Sequence, residues 1–573
     1  MRVLVFGQPL WGDASHLALY HSAHGHEVRT AGPGPGFDYT FAPYESTVDF
    51  LARLAPEWMP EVLLCNFPEM YPPTRAIEDS PIPTVAVISD WNLYGPQLEH
   101  NLCRFDAVLS DQQATQRLKV HGIVPQHLFP MYSQMTHIHR RIERPREIDV
   151  LFLGNLNHAI HRERGAMLEH VARNAHDFRL VIDAGLPPDD YALRLNESKI
   201  ALNFGVRGEM NLRCFEAPAC GALLFIEEEN RETFDWLEAE EQCIPYTREN
   251  VVERIRYFLE HEDERERIAD AGHRRILELA AEKRLDMLFN WIARVPRGPR
   301  AFAALDPQRR ALADALLYGS SMNAEQRAFS HAQLHYLHDA HPQDAEALLA
   351  WGCSNFDHAA AQGKSPAQRD ARRELLRESI KAFDAAQAAA PDEAVPLLNL
   401  ATLARQAGAT VEDRYLQRAT EAKQAQHGAY LLGRVHDPFY AAWRLALGFG
   451  DAPLSLLHAQ AHTRLAELAL ARREAAAALS HAQAAITIAP QIGAAYTLAG
   501  RAAQALGDLD AAATLLREGL PHTSFDAAHR QALLEVLRAR GDAAEAAALA
   551  EESSRIFAAC VPYAAYADLF RGA

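Results

Sequence analysis

An α/β half followed by an all-α half is the fold class that three observations predict for this 573-residue sequence. Short apolar runs alternate with helix-length segments as far as about residue 295, the pattern of strands buried on both faces of a parallel sheet. From Arg294 to Arg300 two prolines, a glycine and three arginines mark a linker, after which strand patterns vanish and alanine and leucine dominate. Beyond it, Arg473-Glu474, Gly507-Asp508 and Gly541-Asp542 recur between helix-length stretches at a spacing of 34 residues. Two facing Rossmann-like domains, 1–135 and 146–293, followed by a helical-repeat solenoid over 305–573, are the expected units.

Val3 to Phe6 reads as the first strand, Gly12 to His24 as a helix and Gly25 to Val28 as the turn into strand two. Gly32, Gly34 and Gly36 alternate with prolines and follow the second strand, which is not a dinucleotide fingerprint. Val62 to Cys65, Thr84 to Ile88 and Ala107 to Leu109 continue the sheet, each ending in polar residues at the edge where parallel sheets take ligands. Asp90 follows one such strand and suits a general base, a sugar-hydroxyl acceptor or a capping acid. Pro125 to Pro145 is the passage to the second domain; its His137 and His139 lack the companions a metal site needs. Asp149 to Gly154 and Arg179 to Ile182 restart the strand pattern.

The second domain centres on Lys199 to Ile226, KIALNFGVRGEMNLRCFEAPACGALLFI. Ile200 to Phe204 and Ala222 to Ile226 read as buried strands around a short helix from Asn211 to Cys220, stopped by Gly221. Such a βαβ unit aims free backbone N–H groups and the positive end of a helix at an anion. Arg207 and Arg213 suit phosphate oxygens, Gly208 permits close backbone approach, and Glu216 suits a ribose diol. The plainer reading makes Asn211 a helix cap and Arg213–Glu216 an i,i+3 surface pair.

Asn211, Arg213, Phe215, Glu216, Ala217, Ala219, Cys220 and Gly221 match the pattern Asn-x-Arg-x-Phe-Glu-Ala-x-Ala-Cys-Gly, and the first 295 residues resemble bacterial CgeB-type glycosyltransferases of the GT-B group. The resemblance implies a nucleotide-sugar donor bound as substrate, with no separate cofactor. In the wider retaining group a first Glu stands eight residues before the second; Gly208 holds that position here, and Glu209 lies one residue nearer. The resemblance also implies a donor-phosphate turn at Gly154-Asn155, a helix-start arginine at Arg162 or Arg164, and an acceptor-facing loop with Asp13 and His16. The 34-residue period resembles tetratricopeptide repeats, whose concave surfaces take extended peptides, so a protein acceptor or partner is the expectation.

A net charge of −18 opposes general nucleic-acid binding, which needs a basic surface. Seven scattered cysteines without a Cys-x-x-Cys pair suggest neither disulfides nor zinc, and a reducing cytoplasm fits them. No apolar stretch reaches the roughly 18 residues of a membrane span, and the N-terminus is too short in apolar residues for a signal peptide. The only Asp-x-Asp triplet, Asp508 to Asp510, falls in a turn between helices, so a metal-independent reaction is expected.

Overall fold

The computed structural model describes residues 1–7, 25–55, 57–88, 91, 98, 101–120, 126–127, 134–157, 161–205, 208–279, 281–295, 301–319, 321–363, 365–432 and 454–571. The expected helix over Gly12 to His24, and Gly433 to Gly450, whose sequence breaks the repeat pattern, lie outside them.

Seven parallel strands form the first sheet: β1 (Arg2–Phe6), β2 (Glu27–Gly32), β3 (Tyr39–Thr40), β4 (Val62–Asn66), β5 (Thr84–Val87), β6 (Ala107–Ser110) and β7 (Gln126–His127), in the order β3-β2-β1-β4-β5-β6-β7. Val3 lies opposite both Val28 and Val62, which fixes the central register. The alternation of strand side chains then sorts the two faces. Leu4 and Phe6 pack with Phe41 and Phe50 on one side, where α1 (Thr47–Leu54) sits. On the other, Val3 and Val5 pack with residues far along the chain. A further helix, α2 (Gln112–Val120), follows β6.

The second sheet has five parallel strands, β8 (Ile148–Leu153), β9 (Leu180–Asp183), β10 (Ser198–Leu202), β11 (Leu223–Glu227) and β12 (Ile244–Tyr246), in the order β12-β11-β10-β8-β9. Its helices are α3 (Arg162–Asn174), α4 (Pro188–Asn196), α5 (Arg213–Ala219), α6 (Val251–Glu260) and α7 (Glu262–Glu278). In this doubly wound order the direction of winding reverses between β8 and β10, and a ligand crevice opens beyond the carboxyl ends of those strands. The next helix, α8 (Ala281–Ile292), returns to the first domain: Leu285, Leu288, Phe289 and Ile292, spaced i, i+3, i+4, i+7, are the side chains that cover Val3, Val5, Val62 and Leu64.

The helical half runs through α9 (Pro307–Gly319), α10 (Ala324–Ala340), α11 (Ala345–Ala360), α12 (Pro366–Ala389), α13 (Ala394–Gln406), α14 (Glu412–Thr420), α15 (Leu454–Ala471), α16 (Ala475–Ile488), α17 (Ala494–Ala505), α18 (Leu509–Gly519), α19 (Ala527–Arg540) and α20 (Ala543–Ala559). The 34-residue spacing marks the same left-handed turn three times, with φ of +63° at Arg473 and +84° at Gly507 and Gly541. Ala475, Ala511 and Ala544 are the small residues the period predicts at the helix contacts, yet Ala544 is exposed; the fully buried set lies further along each helix, at Ala478, Ala512 and Ala546. The sequence pattern reads Ala347 to Phe356 and Ser379 to Ala390 as two repeat helices with a long insertion between them; that insertion is mostly helix, because Ser365 and Gln368 form a capping box that starts α12 at Pro366. Asp508 caps α18 by accepting from the Ala511 N–H at 3.0 Å, and Asp510 pairs with Arg540 at 3.0 Å.

Both ends of the helical half are seated on the α/β half. Near its start, Asp314 pairs with the buried Arg104, and the carbonyls of Pro33, Pro72 and Pro73 accept from Asn323, Gln326 and Tyr318 at 3.2–3.3 Å. Near its end, Arg530 pairs with Glu169 of α3, and α19 and α20 share one apolar core with β8, α3 and α6.

Candidate active site at the carboxyl edge of the second sheet

The helix that carries the sequence signature is shorter than its pattern predicts. α5 covers Arg213–Ala219, and its seven residues are all buried. Just ahead of it the Asn211 side-chain oxygen accepts from the Arg213 N–H at 3.1 Å. The N–H groups of Cys214, Phe215 and Glu216 are bonded to the carbonyls of Asn211 and Leu212 at 2.9–3.2 Å. The expected supply of free amides is therefore absent between Arg213 and Glu216. Positive charge is offered here by side chains.

Two guanidinium groups supply it. Arg213 reaches across the reversal point of the sheet, donating from Nη2 to the Leu153 carbonyl at the end of β8 and from Nη1 to Asn203 Oδ1, just past β10, at 2.7 Å. Its Nε has no hydrogen-bond partner among the described residues. Arg164, in the first turn of α3, donates to the carbonyls of Phe204 and Asn155 at 2.9 and 3.0 Å. Both cations lie against the Phe152 ring, 4.5 and 5.6 Å from its centroid. Burial in the first place, and then the neighbouring Arg213 charge, pull Arg164 down to about 10, still well above neutrality. Neither arginine forms a salt bridge with a carboxylate among the described residues; each is held by neutral acceptors.

Asn203 and Glu227 organise this pair and were invisible in the sequence, where Glu227 reads as part of an acidic turn. Glu227 ends β11 fully buried and accepts from the Gly205 N–H at 2.5 Å, Asn203 Nδ2 at 3.1 Å and Asn230 Nδ2 at 3.3 Å. Burial raises its carboxyl above the ordinary range against the pull of those donors. Asn203 thus relays between Arg213 and Glu227, and its own carbonyl accepts the Tyr246 hydroxyl. The only sequence signal was polarity directly after an apolar strand.

Glu216, 7 % exposed, stands beside Arg213 on α5. Tyr191 lies close to both, and burial first, then the Glu216 charge, raise its pKa. His139 Nε2 lies 3.6 Å from Glu216 Oε1, while its Nδ1 accepts the Met135 N–H at 3.2 Å. That assigns the proton to Nε2, directed at the carboxylate. Burial, followed by the charge of His137, holds His139 down at about 4, so it is a neutral donor at physiological pH.

The remaining sequence candidates divide. Gly154 serves the arginine: a Cβ there would come within 2.4 Å of Arg213 Nη2. Asn155 turns the chain, its side chain accepting from the Asn157 N–H at 2.8 Å and its carbonyl from Arg164. Gly208 adopts φ of +69° with its α-carbon against the Glu229 carbonyl. Arg162 leaves the group, donating to the Gln491 carbonyl of the helical half at 3.0 Å. Asp13, His16, Asp90 and Arg207 lie outside the described residues. Among the described residues no group of three or more His, Cys, Asp or Glu side chains is arranged to hold a metal ion.

Residues 143–290 match the family model described as glycosyl transferase-like. That span contains β8 to β12 and the whole arginine site. No curated protein matches the chain. Among solved structures, TarM is similar at 11 % identity over 40 % of this chain and 54 % of its own, with a TM-score of 0.31. The present chain thus spans about half of TarM. Sucrose-phosphate synthase from Thermosynechococcus elongatus gives 11 % identity over 53 % of this chain and 99 % of its own, at a TM-score of 0.37. Anabaena HepE in complex with UDP gives 10 % over 51 % and 99 %, also at 0.37.

Proposed function

We propose that this chain is a glycosyltransferase that moves a sugar from a nucleotide-sugar to a polypeptide acceptor recruited with the help of the helical half. The observation that carries the donor side is the pair of buried guanidinium groups, Arg164 and Arg213, held among the described residues by neutral acceptors where the second sheet reverses its winding. Two like charges buried together favour an anion between or beside them, and a departing diphosphate is such an anion. In this reading Glu216 accepts the ribose hydroxyls, Gly154-Asn155 and Gly208 shape the turns around the phosphates, and Asn211 sets the start of α5. Arg207 joins the phosphate contacts, while Asp13, His16 and Asp90 face the acceptor. Charge on the leaving group is met by arginine, without a divalent cation, and the reaction takes place in the cytoplasm.

A thermal-shift series with UDP, GDP, ADP and dTDP on the full chain tests the donor site. One of them at a hundred times its Kd is expected to stabilise the protein by about 2.7 kcal/mol. The shift should disappear in Arg164→Ala. Transfer of labelled sugar to polypeptide in a lysate then tests the acceptor class; label appearing in a glycan or lipid fraction instead would replace that part of the reading. A second reading, a scaffold without transfer chemistry, is favoured by one observation: both terminal nitrogens of Arg213 are already bonded to Leu153 and Asn203. Absence of any nucleotide shift would select it.

A further inference from the structure

A cavity of about 190 Å³ lies at the carboxyl edge of the first sheet. Gly7 follows β1, Gly32 and Pro33 close β2, and Tyr71 and Pro72 follow β4, so three neighbouring strands contribute to one wall. The opposite wall belongs to the helical half: Ser321, Met322 and Asn323 from the turn between α9 and α10, and Gln326 from the first turn of α10. That turn is fixed in place. The Met322 N–H donates to the Met70 carbonyl at 3.0 Å, Asn323 to Pro33 and Gln326 to Pro72.

Two properties of the lining select the ligand. None of the described lining residues is charged, and the rings of Phe37, Phe41 and Tyr71 face the space, so neither a phosphate nor a carboxylate is matched. The polar atoms of the helical wall are already committed: Ser321 Oγ donates to Gln326 Oε1 at 2.5 Å, the Gln326 and Asn323 amides bond proline carbonyls, and Asn323 Oδ1 caps α10. A sugar ring entering here would lose its water hydrogen bonds with few replacements, a cost of order 1–3 kcal/mol for each hydroxyl. An aromatic ring loses nothing of the kind, and an apolar cavity of about 150 Å³ is known to take benzene.

We infer that this cavity receives an aromatic side chain of the polypeptide acceptor, and that the α9–α10 turn makes the helical half part of the acceptor site. The inference rests on the glycosyltransferase reading for the word acceptor, and on the cavity alone for the chemistry of the ligand. The Tyr71 hydroxyl, which has no hydrogen-bond partner among the described residues, is placed to bond a tyrosine hydroxyl that enters.

The test uses saturation-transfer NMR on the full chain with N-acetyl-tyrosinamide, N-acetyl-phenylalaninamide and methyl glucoside as separate probes. Both aromatic probes are expected to receive saturation and methyl glucoside much less. Met322 is 61 % exposed at the mouth of the cavity, so Met322→Trp closes it at little cost to the fold and should cut the aromatic signal at least fivefold. Met322→Ala opens the mouth and should preserve it. Tyr71→Phe should weaken the tyrosinamide relative to the phenylalaninamide. Equal saturation in wild type and Met322→Trp, no aromatic signal at all, or a dominant methyl glucoside signal would overturn the inference. The nucleotide shift should be unchanged in Met322→Trp, so a failed donor site and a failed acceptor pocket give different results.

Discussion

Arg104 and Arg530 are both buried cations that tie the helical half to a parallel-sheet domain, yet they sit in different surroundings. Each is held by one carboxylate from either side of its seam: Arg104 by Glu78 and Asp314, Arg530 by Glu169 and Glu552. Around Arg530 the apolar clusters of the two halves merge, and Phe525, Leu533 and Phe557 belong to the same core as Val150, Leu168 and Phe258. Around Arg104 they stay separate. The described clusters of the first domain contain no residue beyond 295, and contact is made by the Phe302 ring 3.4 Å from the guanidinium and by hydrogen bonds to backbone carbonyls of α9 and of the loop after β4. A seam of hydrogen bonds exchanges partners with water at modest cost, whereas a merged core separates only by exposing apolar surface. The second domain and the end of the helical half therefore form the firm unit, and the first seam is the one that yields.

Substitutions on the two sides measure that difference. Glu169→Ala leaves Arg530 without its inner carboxylate and the Phe525 N–H without its 2.8 Å acceptor, and is expected to cost about 3–5 kcal/mol, read as faster hydrogen exchange across α3 and α19. Asp314→Ala leaves Arg104 with Glu78, Asn101 and the Phe302 ring, so about 1–3 kcal/mol is expected, with faster exchange confined to α9 and the loop after β4. Should this variant cost as much as Glu169→Ala, the contrast between the seams is wrong. Asn323→Ser keeps a capping oxygen for α10 and removes the donor to Pro33; about 0.5–1.5 kcal/mol is expected, with α10 intact by exchange.

The central strands were legible because they are buried on both faces and so appear as unbroken apolar runs; Val62 to Cys65 and Ala222 to Ile226 fall within a residue of the observed bounds. The two-residue strands β3 and β7 leave no such run. At the candidate site, Arg213 and Glu216 were readable from their local spacing, while Asn203, Glu227 and His139 were not, because they meet Arg213 and Glu216 only after the sheet is assembled. Local spacing also overstated the helix: the pattern runs from Asn211 to Cys220, whereas α5 covers Arg213–Ala219. The seams were wholly hidden, since Arg104 and Asp314 are 210 residues apart and each reads alone as surface charge.

Cys560, just after α20, forms a parallel bridge with Ile182 of β9, the outermost strand of the second sheet. An outermost strand carries unpaired N–H and C=O groups that template pairing with another molecule. The chain thus covers its own vulnerable border with a stretch from its far end. A recombinant version trimmed ahead of residue 560 would bare that border, and clumping during purification would follow even if every catalytic side chain were untouched.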